Sequence, residues 1–126
     1  MYTLTIRDHL KCAHSLKGEI FGPAQLMHVI TYEVEAVFTT AALDEYGIIV
    51  DFASAQQGLQ EILQTLNFRN LDEHPLLRGK NTTTEFLCRW IHGEMAKKVQ
   101  PKFRGKLTLV LRESAVAWTT YEADVP

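Results

Sequence analysis

The sequence has little of what marks several large classes of protein. Two cysteines, Cys12 and Cys88, in 126 residues are too few and too far apart for a disulfide framework or a zinc ribbon, and no CxxC pair occurs. A reducing compartment fits that usage. No stretch approaches the roughly 18 consecutive apolar residues of a membrane span. The opening segment Met1–Asp8 lacks a basic region followed by an apolar run, so the reading is a cytoplasmic protein with no membrane partner. Positive charge is not in surplus either: 13 Lys+Arg stand against 15 Asp+Glu, a formal charge of −2. A protein that neutralises many phosphates carries a basic footprint, so no nucleic-acid partner is expected. With 4 Pro and 7 Gly, neither a fibrous repeat nor a disordered chain is indicated.

What is present is the composition of a packed globule, 46% hydrophobic and 22% charged. The length suits one core, so residues 1–126 are expected to form a single domain. Residues 2–7 alternate apolar with polar, the period of a half-buried strand. After the turn signal Phe21-Gly22-Pro23, a β-branched and aromatic run from Met27 to Phe38 predicts the longest strand. Leu43–Gly47 reads as a turn and Ile48–Val50 as a brief extended stretch ending at a helix cap, Asp51. Phe52, Ala55, Leu59, Ile62, Leu63 and Leu66 then recur at helical spacing and form one apolar stripe.

Asn67–Lys80 reads as a loop, long enough to be functional or mobile. If Thr82 caps a second helix, Glu85 completes a capping box, and Leu87, Trp90, Ile91, Met95 and Val99 supply its buried stripe until Pro101 stops it. Leu107–Leu111 and Ala117–Tyr121 are two further strands. The order β-β-α-α-β-β argues an α+β fold, a four-stranded antiparallel sheet with two helices packed on one face. Its other face and its edges are open to assembly as a homo-oligomer.

Five histidines occur. His14 follows the first strand and His28 opens the second, so a hairpin pairing of those strands brings them together. Either they are two zinc ligands or they are hydrogen-bonded pocket residues. Position 30 shares the strand face of His28 and is isoleucine, which denies a second ligand there. His9, His74 and His92 read as surface residues. Cys12 beside His14 is open to a thiolate–imidazole pair or to a small buried thiol, and Cys88 reads as core. Glu113 ends a strand whose same-face neighbours are leucines. It is either a solvated strand-end charge or a carboxylate that accepts two parallel hydrogen bonds from the N–C–N edge of a pterin or guanine ring.

Six stretches, in order, resemble the 6-pyruvoyltetrahydropterin synthase / 6-carboxytetrahydropterin synthase family, whose members adopt the T-fold. Cys12-Ala13-His14-Ser15-Leu16 is similar to A-A-H-x-L, and His28-Val29-Ile30-Thr31-Tyr32-Glu33-Val34 to H-G-H-x-Y-x-V. Gly47-Ile48-Ile49-Val50-Asp51-Phe52 is similar to G-M-V-x-D-F, and Leu66-Asn67-Phe68-Arg69-Asn70-Leu71-Asp72 to L-D-H-x-x-L-N. Asn81-Thr82-Thr83-Thr84-Glu85 is similar to N-P-T-x-E, and the strand ending at Glu113 to V-x-V-x-E-T.

The resemblance implies zinc held by three histidines, a proton-abstracting cysteine helped by an Asp-His pair, and glutamates with neighbouring threonines that anchor a pterin. It also implies hexamers with pockets between subunits. Carried over, His14 and His28 match two zinc ligands, and Ile30 stands in place of the third. Ala24 stands in place of the cysteine, and Asn67 and Phe68 in place of the Asp-His pair. Thr83, Thr84, Glu85 and Glu113 match the pterin-binding positions. The expectation is a divergent member with altered chemistry, or a non-catalytic pterin-binding or structural oligomer. In the first case Glu19, in the loop before His28, is a candidate base or third ligand, and His74 or Asp72 in the long loop a candidate catalytic group.

Overall fold

In a computed structural model that describes residues Met1–Pro126, the chain runs β1 (Tyr2–His14), β2 (His28–Thr40), α1 (Phe52–Gln64), α2 (Thr84–Val99), β3 (Gly105–Arg112) and β4 (Trp118–Val125). Short 3-10 turns cover Glu19–Gln25 and Leu71–Glu73. The four strands form one sheet in the order β1-β2-β3-β4, each pair antiparallel. This is the expected β-β-α-α-β-β architecture with both helices on one face.

β1 is longer than the stretch 2–7 that its clearest alternation suggests. It continues because the even positions Leu10, Cys12 and His14 stay buried while β2 offers a paired residue at every step, from Tyr2↔Thr40 to His14↔His28. Antiparallel pairing thus overrides the polar local composition around Asp8 and His9. Ile48–Val50 forms no strand, and Phe52 at the start of α1 is exposed rather than part of the stripe.

Core-facing residues come from the even positions of β1 and β2 and the odd positions of β3, as strand periodicity requires. Leu10, Tyr32, Val34, Ala36, Phe38, Leu107, Leu109 and Leu111 are all fully buried. α1 contributes Leu59 and Leu63, and α2 contributes Leu87, Ile91 and Met95. Phe38 and Phe103 meet edge to face at 5.1 Å, an arrangement their ring quadrupoles favour. A fully buried leucine is worth about 2 kcal/mol, more than a surface ion pair, so these apolar layers rather than charges hold the helices to the sheet.

Two buried side chains of α2 bond to the sheet backbone. His92 is buried instead of lying on the surface, and its Nε2–H donates to the Leu107 carbonyl at 2.9 Å. The Cys88 thiol donates to the Leu109 carbonyl at 3.2 Å, and burial pushes its pKa up to about 11.

Candidate functional site

The last pair of the β1–β2 ladder is His14↔His28, with ring centroids 4.6 Å apart and planes at 60°. Hairpin pairing therefore does bring the two imidazoles together. His28 donates from Nδ1 to the Leu26 carbonyl at 2.8 Å, which fixes its tautomer and leaves Nε2 with a free lone pair. His14 is 2% exposed. Its Nδ1 lies 3.1 Å from the Thr82 hydroxyl, and its Nε2 is the one buried side-chain nitrogen or oxygen in the chain with no hydrogen-bond partner. Leaving such an atom unsatisfied costs roughly 1–3 kcal/mol.

α2 begins beside this pair, and its cap falls one residue later than Thr82. The Thr83 hydroxyl accepts from the Phe86 N–H at 3.1 Å, because the fully buried Thr82 hydroxyl is already engaged with His14. The capping box is therefore not formed, and Glu85 sits in the first turn of α2 as an exposed carboxylate. Thr84 faces the other way. Its hydroxyl lies 3.1 Å from the phenol of buried Tyr32 and donates to the carboxylate of Glu113. Glu113 follows β3 directly, and its backbone N–H donates to the Ala117 carbonyl at 3.1 Å, closing the β3–β4 turn. Although Glu113 as a whole residue is exposed, its carboxylate is anchored inward on α2.

Burial and the neighbouring His28 lower the pKa of His14, against the opposing pull of Thr82, Asp72 and Glu113. Its ring is held neutral. Burial raises the Tyr32 phenol, with the Thr84 hydrogen bond acting the other way, and it pushes the Cys12 thiol up to about 12. Of the two readings of Cys12, the structure therefore favours the inert buried thiol over a thiolate–imidazole pair.

Other residues singled out in the sequence lie elsewhere. Glu19 is exposed at the start of the first 3-10 turn and makes no hydrogen bond or ion pair. The Ala24 carbonyl accepts from the Leu16 N–H at 2.9 Å. Asn67 and Phe68 strap the edge of β1: Lys11 donates its N–H to Asn67 Oδ1 at 2.9 Å and accepts from the Phe68 N–H at 2.6 Å. Phe68 thereby takes a φ of 58°, a left-handed conformation costly for an aromatic residue, with its ring largely in solvent. Asp72 accepts from the Ser15 N–H and hydroxyl, bracing the chain next to His14. His74 is buried rather than surface-exposed, and it lines a separate cavity against Trp90. His74 stands apart from the group around His14, on a different cavity, and Glu19 makes no bond to that group. Sequence reasoning missed Tyr32 and Thr82 as parts of that group. Tyr32 had a signal, since it lies four residues along the same strand face as His28.

The donor set does not fit a three-histidine zinc centre. Ile30 occupies the next inward position of β2, opposite Cys12, and no three His, Cys, Asp or Glu side chains converge anywhere in the chain. What the group offers is a carboxylate held by a hydroxyl, an unpartnered imidazole nitrogen and a second imidazole with a free lone pair.

Comparison with known proteins identifies the fold and the family. The family model for 6-pyruvoyl tetrahydropterin synthase matches residues 3–124. Among solved structures, the Caenorhabditis elegans 6-pyruvoyl tetrahydropterin synthase superposes with a TM-score of 0.83 at 20% identity, over 97% of this chain and 95% of that one. The Plasmodium falciparum synthase gives 0.79 at 10% identity over 98% of both chains. A Plasmodium vivax synthase variant, altered to alanine at a glutamate described as a catalytic residue, gives 0.77 at 12% identity over 98% of both. A search of curated proteins by sequence finds no match. The fold is that of these synthases, and the chain belongs to the 6-pyruvoyl tetrahydropterin synthase family.

Proposed function

We propose that this member of the 6-pyruvoyl tetrahydropterin synthase family binds a pterin or a related purine-like heterocycle in the cytoplasm, and that its chemistry departs from that of the family. The observation that carries the reading is the Tyr32–Thr84–Glu113 relay ending beside His14, whose Nε2 lacks a partner. A planar N–C–N edge presents two parallel donors, and a carboxylate held as Glu113 is accepts both. Thr84 spends its proton on Glu113 and so fixes the carboxylate in place. Thr83, the cap of α2, and Glu85 in its first turn complete the rim, and His14 supplies the contact that its own structure leaves unmade. Nothing in this binding scheme needs a metal.

The altered chemistry follows from what stands at the proton-transfer positions. Alanine, asparagine and phenylalanine at 24, 67 and 68 carry no transferable proton at neutral pH. Glu19 is the substitute base we assign, exposed and uncommitted on the turn that leads into His28. A relative with a glutamate described as its catalytic residue supports a carboxylate in that role. His74 has no part in this scheme.

Residues 1–126 act as one domain in a homo-oligomer, for which a hexamer is the proposed form. Support comes from β1 and β4, which leave both sheet edges without a strand neighbour, and from Ile20, Leu26, Met27 and Val29, which are exposed around His28. A second reading, a binder without turnover, rests on the loss of the proton-transfer residues. Isothermal titration with 7,8-dihydroneopterin and biopterin tests the shared claim: micromolar binding supports it, and the absence of heat and of any thermal shift with every pterin overturns it. Product formation that is abolished in Glu19→Gln then separates the enzyme from the binder.

A further inference from the structure

A cavity of about 730 Å³ lies between the C-terminal half of α1, the turn at His74–Leu76 and the outer face of α2. It shares no residue with the His14–Thr84–Glu113 group. Its walls have an unequal supply of hydrogen-bonding groups. The two carboxylates are already engaged: Glu61 accepts from Lys98 at 2.8 Å and from Gln57 at 3.1 Å, and Glu94 accepts from Lys97 at 2.9 Å. Glu94 is engaged at one oxygen only, whereas His74, Trp90 and Arg69 each present a donor with no partner in the chain, as does the Gln64 amide.

His74 is 8% exposed, and its Nδ1 accepts from the Leu76 N–H at 3.1 Å. A backbone N–H can only donate, so the neutral ring carries its proton on Nε2, which has no partner in the chain. Trp90 meets the His74 ring edge-on at 6.4 Å between centroids, and its indole N–H makes no hydrogen bond. Arg69 forms no ion pair. Its backbone is tied to the sheet, where its carbonyl accepts from the Ala13 N–H at 2.9 Å, so the guanidinium projects from a fixed point rather than from a loose loop.

We propose that this cavity is a second small-molecule site that takes a planar aromatic or heteroaromatic anion, its ring against Trp90, its acidic group on Arg69 and His74 as a further donor. Spare donors beside carboxylates already paired with lysines favour a ligand rich in acceptors. An indole face selects for a flat apolar body, and a guanidinium fork for a carboxylate-like head.

The probe is 4-nitrobenzoate, a flat aromatic carboxylate that quenches indole fluorescence, with 4-nitrobenzamide as its uncharged counterpart. The protein has two tryptophans, Trp90 and Trp118, so the Trp118→Phe variant reports on Trp90 alone. The expected result is saturable quenching in Trp118→Phe, with the amide weaker by about tenfold or more and Arg69→Ala weaker by a similar factor. The melting temperature of Arg69→Ala should be unchanged, and Arg69→Gln provides the same test if it is not. Quenching that rises linearly without saturation overturns the proposal. So does equal affinity for acid and amide, or a signal carried by Trp118 in the Trp90→Phe protein. Because no residue is shared, failure here leaves the pterin reading standing, and failure there leaves this one.

Discussion

Arg112 and Glu113 are neighbours in the chain and face opposite sides of the sheet, and the clusters they join follow opposite rules. On the outer face, Arg7 bonds Glu35 at 2.6 Å and Glu33 at 3.3 Å, and Arg112 reaches Glu35 at 3.4 Å and Glu33 at 3.7 Å while lying over the Trp118 ring at 4.6 Å. Two cations meet two anions, and each charge has a partner. On the inner side, Glu113 is held by one hydroxyl and His14 keeps a buried nitrogen with no partner at all. A closed ion cluster serves the sheet. The unfinished one lies in a chain that satisfies every other buried polar side-chain atom, and it is there that we propose a ligand completes the bonding.

That contrast can be broken at either end, and the largest effect is expected at Glu113. Glu113→Ala removes both acceptors for the heterocycle edge and should weaken pterin binding about 100-fold, on the scale of two charge-assisted hydrogen bonds, with little change in the melting curve. Calorimetry and thermal unfolding of the same preparation check both halves. Thr84→Val, which frees Glu113 and strips the Tyr32 phenol of its partner, should cost about tenfold in affinity and on the order of 1 kcal/mol of stability. Glu35→Gln should leave affinity untouched and destabilise by about 1 kcal/mol, measured by denaturant unfolding. If Glu35→Gln weakened ligand binding as much as Glu113→Ala, the division between the two faces would be lost.

Acid separates the two clusters by window. The His14 pKa is lowered in the folded state, so the unfolded chain binds the extra proton first. Stability from this residue is complete above about pH 6.5, the ordinary histidine value, and falls as pH drops below it. For Glu35, burial raises the pKa, but hydrogen bonds and charge from Arg7 and Arg112 outweigh it and the net shift is downward. Its contribution is complete above the ordinary glutamate value and is lost only at more acid pH, as the folded carboxylate takes up its proton. A stability–pH profile should therefore weaken in two stages. His14→Gln should flatten the upper stage and Glu35→Gln the lower, and a profile unmoved by either variant would show that the shifts do not act on folding.

Much of this architecture was legible in the sequence, because strand and helix periods show locally. The start of β2, the stripe of α1 from Ala55 to Leu63 and the stop at Pro101 follow from residue spacing, whereas β2 runs two residues past the expected Phe38. The second half of β1 did not show, since a histidine at the core position 14 looks polar until its partner on β2 is known. Three consecutive threonines hid which one caps α2, and the answer depends on His14, 68 residues away in sequence. The burial of His92 was illegible for the same reason, since its partner is a β3 carbonyl, and that of His74 because only its Nδ1 is met, by the Leu76 N–H of a turn the sequence does not announce. Within the site, Glu113 and Thr84 were found through family motifs. The orphaned nitrogen of His14, which gives the site its chemical meaning, exists only in three dimensions.

The most direct test is a crystal structure of the protein soaked with a pterin. The account predicts the amino-pyrimidine edge of the ring against both oxygens of Glu113, with His14 Nε2 in hydrogen-bonding reach of the ligand. Glu113 turned into bulk solvent, with no ligand and no concavity beside it in the assembled particle, would contradict it.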